Sequence, residues 1–492
     1  MKNYRNWIGG EWTDSVSGRT FADVNPADTR DVLGRAARSD RRDVSRAVAA
    51  AKAALGPWAS TPAPKRAEIL FRSAEILRGR KEDLARLITR EMGKTLLEAR
   101  ADVQEAVDTA YFYAGEGRRL YGQTTPSELR DKLCLTFRRP VGVCALITPW
   151  NFPVAIPSWK AYPALICGNS MVLKPAEDTP LSALFFAEIL SEAGLPPGVF
   201  NVVTGTGEEA GRPLAEHPDV SLVSFTGSSK TGAGIAASCG RRLKRCALEL
   251  GGKNALVLLE DADLRLALDA ALWSAFATSG QRCTATSRII VHRRLFARFL
   301  KAFTEKARGW KAGPGEDDAS AFGPIVNRRQ LESIQRHVRR AVRDGARLVT
   351  GGRPETAGAK KHGFFYPATI LTRVTPEMAI AREEVFGPVT ALIQASDDAE
   401  AIRLANDCRY GLSSAVFTRS VEKAASAIER LEAGITYVNS STIGAEAHLP
   451  FGGVKDSGNG HREAGTAALD IFSEWKTVYL DASGRLQKAQ VD

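Results

Sequence analysis

The run VSLVSFTGSSKTG, residues 220–232, begins as an apolar strand, stops on Gly227 and restarts as a polar, glycine-containing helix opening that reaches Gly232. A turn of this kind lies at the carboxyl end of a strand, the side of an open parallel sheet where ligands bind. Its backbone N–H groups can face a pyrophosphate, and the Ser228 hydroxyl can add a hydrogen bond. The spacing is not GxGxxG, and glycine turns after strands are common. The run therefore fixes a strand, a turn and a helix start, and leaves the ligand open. TGTGEEAG (204–211) repeats the form with a weaker claim.

Outward from this run the same alternation continues. VGVCALITPW (141–150), NSMVLKPA (169–176) and GVFNVVTG (198–205) are short apolar runs separated by helical segments such as PLSALFFAEILSEAG (180–194). Apolar strands alternating with helices predict βαβ units around a buried parallel sheet. A second set, NALVLL, SRIIVH, RLVTGG, AVFTRS and GITYVNSS, begins after Lys253 and predicts a second α/β unit. Residues 41–122 carry helical periodicity, clearest in KRAEILFRSAEILRGRKEDLARLITREMGK (65–94). LCLTFRRPVG (133–142) and EWKTVYLD (474–481) are β-like and belong to neither set.

Composition excludes several classes. The 492 residues are 44% hydrophobic and 25% charged, ordinary for a globular chain. No apolar run approaches the roughly 18–20 residues that span a bilayer. The opening MKNYRNWIGGEWTDS has no apolar core of a secretory signal, so the expected compartment is the cytoplasm. The net charge is +11, yet the basic residues are spread over helices such as RRDVSRAV and QRHVRRAVRDGAR, which read as solvated faces. No nucleic-acid or membrane partner is expected. The seven cysteines (134, 144, 167, 239, 246, 283 and 408) show no CxxC and no metal-ligand spacing, so no disulfide framework and no metal is expected.

Most of the cysteines read as small core hydrophobes in apolar strands. Cys283 does not, because it sits among small polar residues in FATSGQRCTATSR (276–288). It reads either as a buried core thiol or as a nucleophile, which needs a partly exposed electropositive setting that lowers its pKa. Glu249 ends the strand in CALELGGKNA and is either paired or a general base whose pKa burial raises. Asn151 in ITPWNFP either forms a turn or offers its amide to an oxyanion. Lys174 and Glu177 in VLKPAEDTP form a surface ion pair, or Glu177 takes the two hydroxyls of a ribose.

PWNFP, KPAEDTP, FTGSSKTG, ELGGK, GQRCTATSR, EEVFGPV and PFGGVKDSG occur in the order found in the NAD(P)-dependent aldehyde dehydrogenase superfamily, and the resemblance spans nearly the whole chain. It implies a cofactor-binding domain (1–122 and 141–252), a catalytic domain (253–456) and a β oligomerisation flap (123–140 and 457–492). Both larger domains would be doubly wound, and the chain would assemble as a dimer or tetramer. It implies that Cys283 attacks the aldehyde, that the Asn151 amide and the Cys283 N–H hold the oxyanion, and that Glu249 activates the water that cleaves the thioester. Lys160 and Glu463 match positions tied to proton relay. Lys174, Glu177 and Ser228 would hold the adenosine half of NAD, with NADP possible, Glu384 and Phe386 the nicotinamide half, and Gly227, Gly232 and Trp150 would also bind the cofactor.

GQRCTATSR together with IGAEAHLPFGGVKDSGNGHREAG is most similar to the α-ketoglutaric semialdehyde (2,5-dioxopentanoate) dehydrogenases. The implied substrate is an aldehyde with a distant carboxylate, lined by Phe152, Trp159, Arg282, Thr284, Ala445 and Phe451. Ala445 stands where many relatives have an aromatic, which leaves room. Trp159 stands where some semialdehyde-specific relatives carry an arginine, and with Phe152 it suits an apolar or aromatic aldehyde instead. A CoA-acylating dehydrogenase and an inactive binding protein on the same fold are the remaining alternatives.

Overall fold

The structure is a computed structural model and describes residues 1–490. The helical periodicity of the amino-terminal region becomes four helices, Arg41–Ser60, Ala63–Gly79, Lys81–Met92 and Leu96–Glu116. The first and last begin with capping boxes, Asp40 with Asp43 and Thr95 with Glu98, which satisfy N–H groups that have no intrahelical acceptor.

The first large sheet has seven strands in the order Arg245–Glu249, Leu222–Thr226, Val143–Ile147, Ser170–Lys174, Phe200–Val202, Asn6–Ile8 and Glu11–Thr13. Its first five strands are parallel, and the amino-terminal hairpin closes the edge in antiparallel pairing. The chain winds outward from Val143–Ile147 to Phe200–Val202 and then returns to the other side as Leu222–Thr226. The crevice between Val143–Ile147 and Leu222–Thr226 is therefore a topological switch point. Trp150 and Asn151 follow one of these strands and Gly227 and Ser228 the other.

The second sheet also has seven strands, in the order Arg347–Thr350, Thr369–Thr372, Val389–Ala395, Thr286–His292, Asn254–Leu258, Ser413–Phe417 and Ile435–Val438. Six are parallel and Arg347–Thr350 is an antiparallel edge. The two α/β sets expected from periodicity are present. The short amino-terminal strands, Thr369–Thr372 and Val389–Ala395 are additions to the expected set.

The two leftover β pieces pair with each other. Lys132–Pro140 runs antiparallel to Ser473–Asp481 in one unbroken register from Pro140 opposite Ser473 to Lys132 opposite Asp481. The expected flap boundary at residue 457 needs correction. Helix Ala468–Phe472 buries Ala468, Leu469, Ile471 and Phe472 in the apolar core beneath the first sheet, and the segment before it lies against Glu249. These side chains belong to the core of the first sheet and not to the three-stranded flap sheet, which only Ser473–Asp481 joins. Among the described residues no helix is long and apolar enough to cross a membrane.

Leu146 lies in the third strand of the first sheet, between Leu222–Thr226 and Ser170–Lys174, with no exposed surface. Leu146→Ala should remove about 2–5 kcal/mol through lost burial and a residual cavity. The expected result is a lower midpoint in thermal unfolding followed by circular dichroism.

Candidate active site

The two sheets meet end to end. Glu249 closes the last strand of the first sheet, and three residues, Gly251, Gly252 and Lys253, follow Leu250 before Asn254 opens the second. Cys283 precedes Thr286–His292, so it stands at the amino ends of the second sheet, facing the carboxyl ends of the first. Asn254 fixes this loop by donating to the carbonyls of Cys283 (2.7 Å) and Ala285 (2.9 Å).

The backbone that presents the thiol is strained. Thr278, Ser279 and Gly280 all have left-handed φ values of 52°, 57° and 63°. Gly280 is required here, because a Cβ would also collide with the Gly387 carbonyl. Two threonine and serine residues in this region cost energy that neighbouring contacts must offset. Glu98 accepts from the Thr278 N–H and hydroxyl, Ser279 donates to the Gly323 carbonyl (2.6 Å), and Gln281 accepts from Val326 N–H (3.0 Å). Asn151 donates to the Gln281 carbonyl at 3.0 Å, two residues before the thiol, while its Oδ1 is buried without a partner.

A cavity of about 570 Å³ opens over Cys283. Phe152, Trp159, Arg282, Thr284, Ala445 and Phe451, all expected near substrate, line it, as do Glu249 and Glu463. Trp159 and Phe451 pack ring against ring with centroids 4.8 Å apart. Both carboxylate oxygens of Glu249 are buried without a hydrogen-bond partner. Gly452, at φ +150°, makes room for one of them, since a Cβ there would stand 2.5 Å from Glu249 Oε1. Lys160 is fully buried, ion-paired with Glu463 and donating to Ser224 (2.9 Å). These residues are brought together as the sequence suggested.

At the switch point, Ser228 caps the helix Ser229–Gly240, whose first N–H groups open onto the crevice. Lys174 Nζ lies 3.4 Å from Glu177, whose side chain is 36% exposed and retains free acceptor capacity. Glu384 accepts from the Gly252 N–H (2.9 Å) and lies against Gly251, where a Cβ would collide with it. Phe386 holds a left-handed φ of 54° and meets Trp150 edge-on at 5.3 Å. A helix N-terminus, an exposed carboxylate and an aromatic pair beside the cavity fit a dinucleotide with its reactive end toward Cys283.

The sequence pattern of the aldehyde dehydrogenase family matches residues 12–478. The chain is 41% identical over 480 residues to the α-ketoglutaric semialdehyde dehydrogenase of Bacillus subtilis, covering 98% of both. It is 39% identical to the 2,5-dioxopentanoate dehydrogenase of Saccharolobus solfataricus, covering 97% of this chain and 99% of that one. The chain belongs to the aldehyde dehydrogenase family. Among solved aldehyde dehydrogenases, the betaine aldehyde dehydrogenase of Staphylococcus aureus in complex with NAD+ superposes with a TM-score of 0.96 at 35% identity, covering 98% of this chain and 96% of that one.

Three expectations for this aldehyde dehydrogenase need correction. The first concerns the thiol's surroundings. Burial pushes the Cys283 thiol up, and Glu384 and Glu249 push it further, against the N–H groups of Cys283 and Thr284. The setting is not electropositive at rest, because the adjacent Arg282 side chain turns toward Glu98 at 3.8 Å. Secondly, the Ser228 hydroxyl is engaged inside its own turn, accepting from Thr231 N–H and bonding the Thr231 hydroxyl. Thirdly, Gly227 and Gly232 serve packing. A Cβ at Gly227 would stand 2.5 Å from the Phe225 ring, and one at Gly232 would collide with Leu250. The TGTGEEAG turn is likewise structural, its Glu209 held by Arg38 at 2.6 Å.

Burial and then Glu463 raise the Glu249 carboxyl well above its ordinary range, while Lys160 and Arg462 oppose this. Glu384 is pushed up to about 7, mainly by burial. Sequence reasoning missed Glu98, Glu105 and Asp108, which with Ala101 and Phe112 form one stripe of helix Leu96–Glu116 on the cavity wall. Their three- and four-residue spacing is visible in the sequence, but spacing alone does not tell a polar cavity wall from a solvated face.

Cys283 was also expected to stand apart from the other cysteines, and one of them proves comparably accessible. Cys246 is half-buried, and a hydrogen bond from Cys239 lowers its thiol to about 7. In the enzyme without substrate, iodoacetamide near neutral pH should label Cys246 before Cys283. Peptide mass spectrometry alongside residual activity checks this, and activity should fall only as Cys283 is labelled.

Proposed function

We propose that this aldehyde dehydrogenase oxidises an aldehyde bearing a distant carboxylate, α-ketoglutaric semialdehyde, to the dicarboxylate with NAD+. The observation that carries the reading is the cavity shared by Cys283 and the unpartnered Glu249 carboxyl, with the Asn151 amide bonded to the chain two residues before the thiol. The names of the Bacillus and Saccharolobus relatives support the substrate.

The Cys283 sulfur, once deprotonated, adds to the aldehyde carbonyl. The oxygen of the resulting thiohemiacetal anion is held by the second Asn151 amide hydrogen and the Cys283 N–H. Bound NAD+ supplies a hydride acceptor, which takes the aldehydic hydrogen with its electron pair and leaves a thioester on Cys283. Glu249, having lost its proton, removes one from water, which attacks the thioester and releases the carboxylate and the Cys283 thiol. Glu463 and Lys160 lie beside Glu249 to pass that proton outward. Glu177, carrying negative charge beside the ribose, favours NAD over the added phosphate of NADP.

Tyr121, Leu133, Trp475, Tyr479 and Leu480 expose apolar surface in and next to the flap sheet, which supports assembly of several copies through it. Cysteines that are all free suit a reducing cytoplasm. One observation favours a second substrate class. Glu98, Glu105, Asp108 and Glu446 line the cavity together with aromatic rings, a setting that suits a cationic aldehyde.

A panel of 2,5-dioxopentanoate, pentanal, benzaldehyde and betaine aldehyde, assayed for NADH, separates these readings. The dioxo acid should exceed pentanal in kcat/KM by about 30-fold or more, as a paired substrate carboxylate requires. Equal or better use of the neutral or cationic aldehydes overturns the anionic reading. CoA should leave the product as free acid.

Glu249→Gln separates the half-reactions. A first turnover should give NADH in near-stoichiometric amount, followed by steady-state turnover about a hundredfold or more below the parent enzyme. Stopped-flow absorbance reads both, and unimpaired steady-state turnover would remove Glu249 from the role of base.

A further inference from the structure

Two cations and three carboxyl groups cluster at one side of the cavity, with Arg282, Glu98 and Glu105 on its wall and the buried Lys94 and Asp102 beside them. Lys94 is fully buried and donates to Asp102 at 2.8 Å, and Asp102 also accepts from Ala155 N–H at 2.8 Å. Arg282 faces Glu98, which already accepts from Thr95 and Thr278. These four charges balance and are satisfied. Glu105 lies one turn beyond Asp102 on the same helix and has no such arrangement. Its Oε1 is buried without a hydrogen-bond partner, although the residue lines the cavity that holds Arg282.

We propose that Glu105, as the neutral acid, and Arg282 together form the seat for the substrate's distant carboxylate, and that ionisation of Glu105 closes the cavity to anionic aldehydes. The proposal rests on the anionic-substrate reading above. Arg282 supplies the charge, its Cζ lying 5.2 Å from the centre of the Phe152 ring, and is anchored by its Nε bond to Thr278 (2.9 Å). A carboxylic acid adds one O–H donor, which pairs well with a carboxylate. The same group ionised would set two anions side by side in a partly desolvated site.

The electrostatics agree with the geometry. Burial and then Asp102 raise the Glu105 carboxyl to about 8, with Arg282 and Lys94 opposing and Asp108 adding slightly. Glu105 is therefore an acid below that pH and a carboxylate above it. Other ionisable groups face the same space. Glu98 and Asp108 share its helix, Glu446 and His448 come from the carboxyl-terminal loop, and Tyr437 donates to the Gly444 carbonyl at 2.7 Å. Glu249, Glu463 and Cys283 lie at the reacting end.

The test is the ratio of kcat/KM for 2,5-dioxopentanoate to that for pentanal as pH rises. Titration of Cys283 and Glu249 affects both substrates and cancels in the ratio. A single proton with a midpoint near 8 predicts that the ratio falls about thirtyfold between about pH 7 and about pH 9.5. Glu105→Gln keeps a donor and no charge, so its ratio should stay high and flat. Glu105→Leu keeps neither, and its ratio should be low and flat. A flat ratio in the parent enzyme overturns the proposal, as does a Glu105→Gln enzyme that retains the fall. The slope decides the role of Glu105, whereas a ratio below one already at pH 7 would count against the anionic substrate itself.

Discussion

Glu98 uses its two carboxylate oxygens on different parts of the chain. Oε2 closes the capping box with Thr95 and so starts the helix Leu96–Glu116. Oε1 accepts from the N–H and hydroxyl of Thr278, holding the left-handed turn that leads to Cys283. A helix cap and a strained loop 180 residues apart are thus one hydrogen-bonded unit. Charge-assisted bonds of this kind are about twice as strong as neutral ones, which suits a group that must offset two unfavourable backbone conformations. The position of the thiol therefore depends on where that helix begins.

The second constraint is the meeting of the two sheets. Ligand sites in open parallel sheets gather at carboxyl ends, and in the first sheet Asn151, Ser228 and Glu249 stand at those ends. The second presents Cys283 from its amino ends. Only with the sheets end to end can Glu249 from one and Cys283 from the other line the same cavity. Asn254 and Gly251–Gly252 occupy the short link between them, and any side chain at Gly252 would press on the Cys283 carbonyl.

Much of this was legible in the sequence, for identifiable reasons. Buried parallel strands are nearly continuous apolar runs, so Val143–Ile147, Ser170–Lys174 and Leu222–Thr226 stood out. Amino-terminal strands of two or three residues carry too few positions for any period to show. Val389–Ala395 was absorbed into the motif that precedes it. The identities of Cys283, Glu249 and Asn151 were visible as chemistry out of place in its surroundings. The environment of the thiol was not, because Glu384 and Glu98 reach it from segments far away in the chain. The capping sequence TLLE could be read locally, but nothing local shows that its glutamate also holds residue 278.

The high resting pKa of Cys283 has a meaning outside turnover. Peroxides oxidise thiolates far faster than thiols, and the first product is a sulfenic acid that can pass to irreversible states. A nucleophile kept protonated by burial and by Glu384 and Glu249 is poorly susceptible to that damage between encounters with substrate. The more acidic Cys246, close to Cys239, presents the easier target and does not line the cavity. Protonation of this thiol at rest thus doubles as a shield against oxidation.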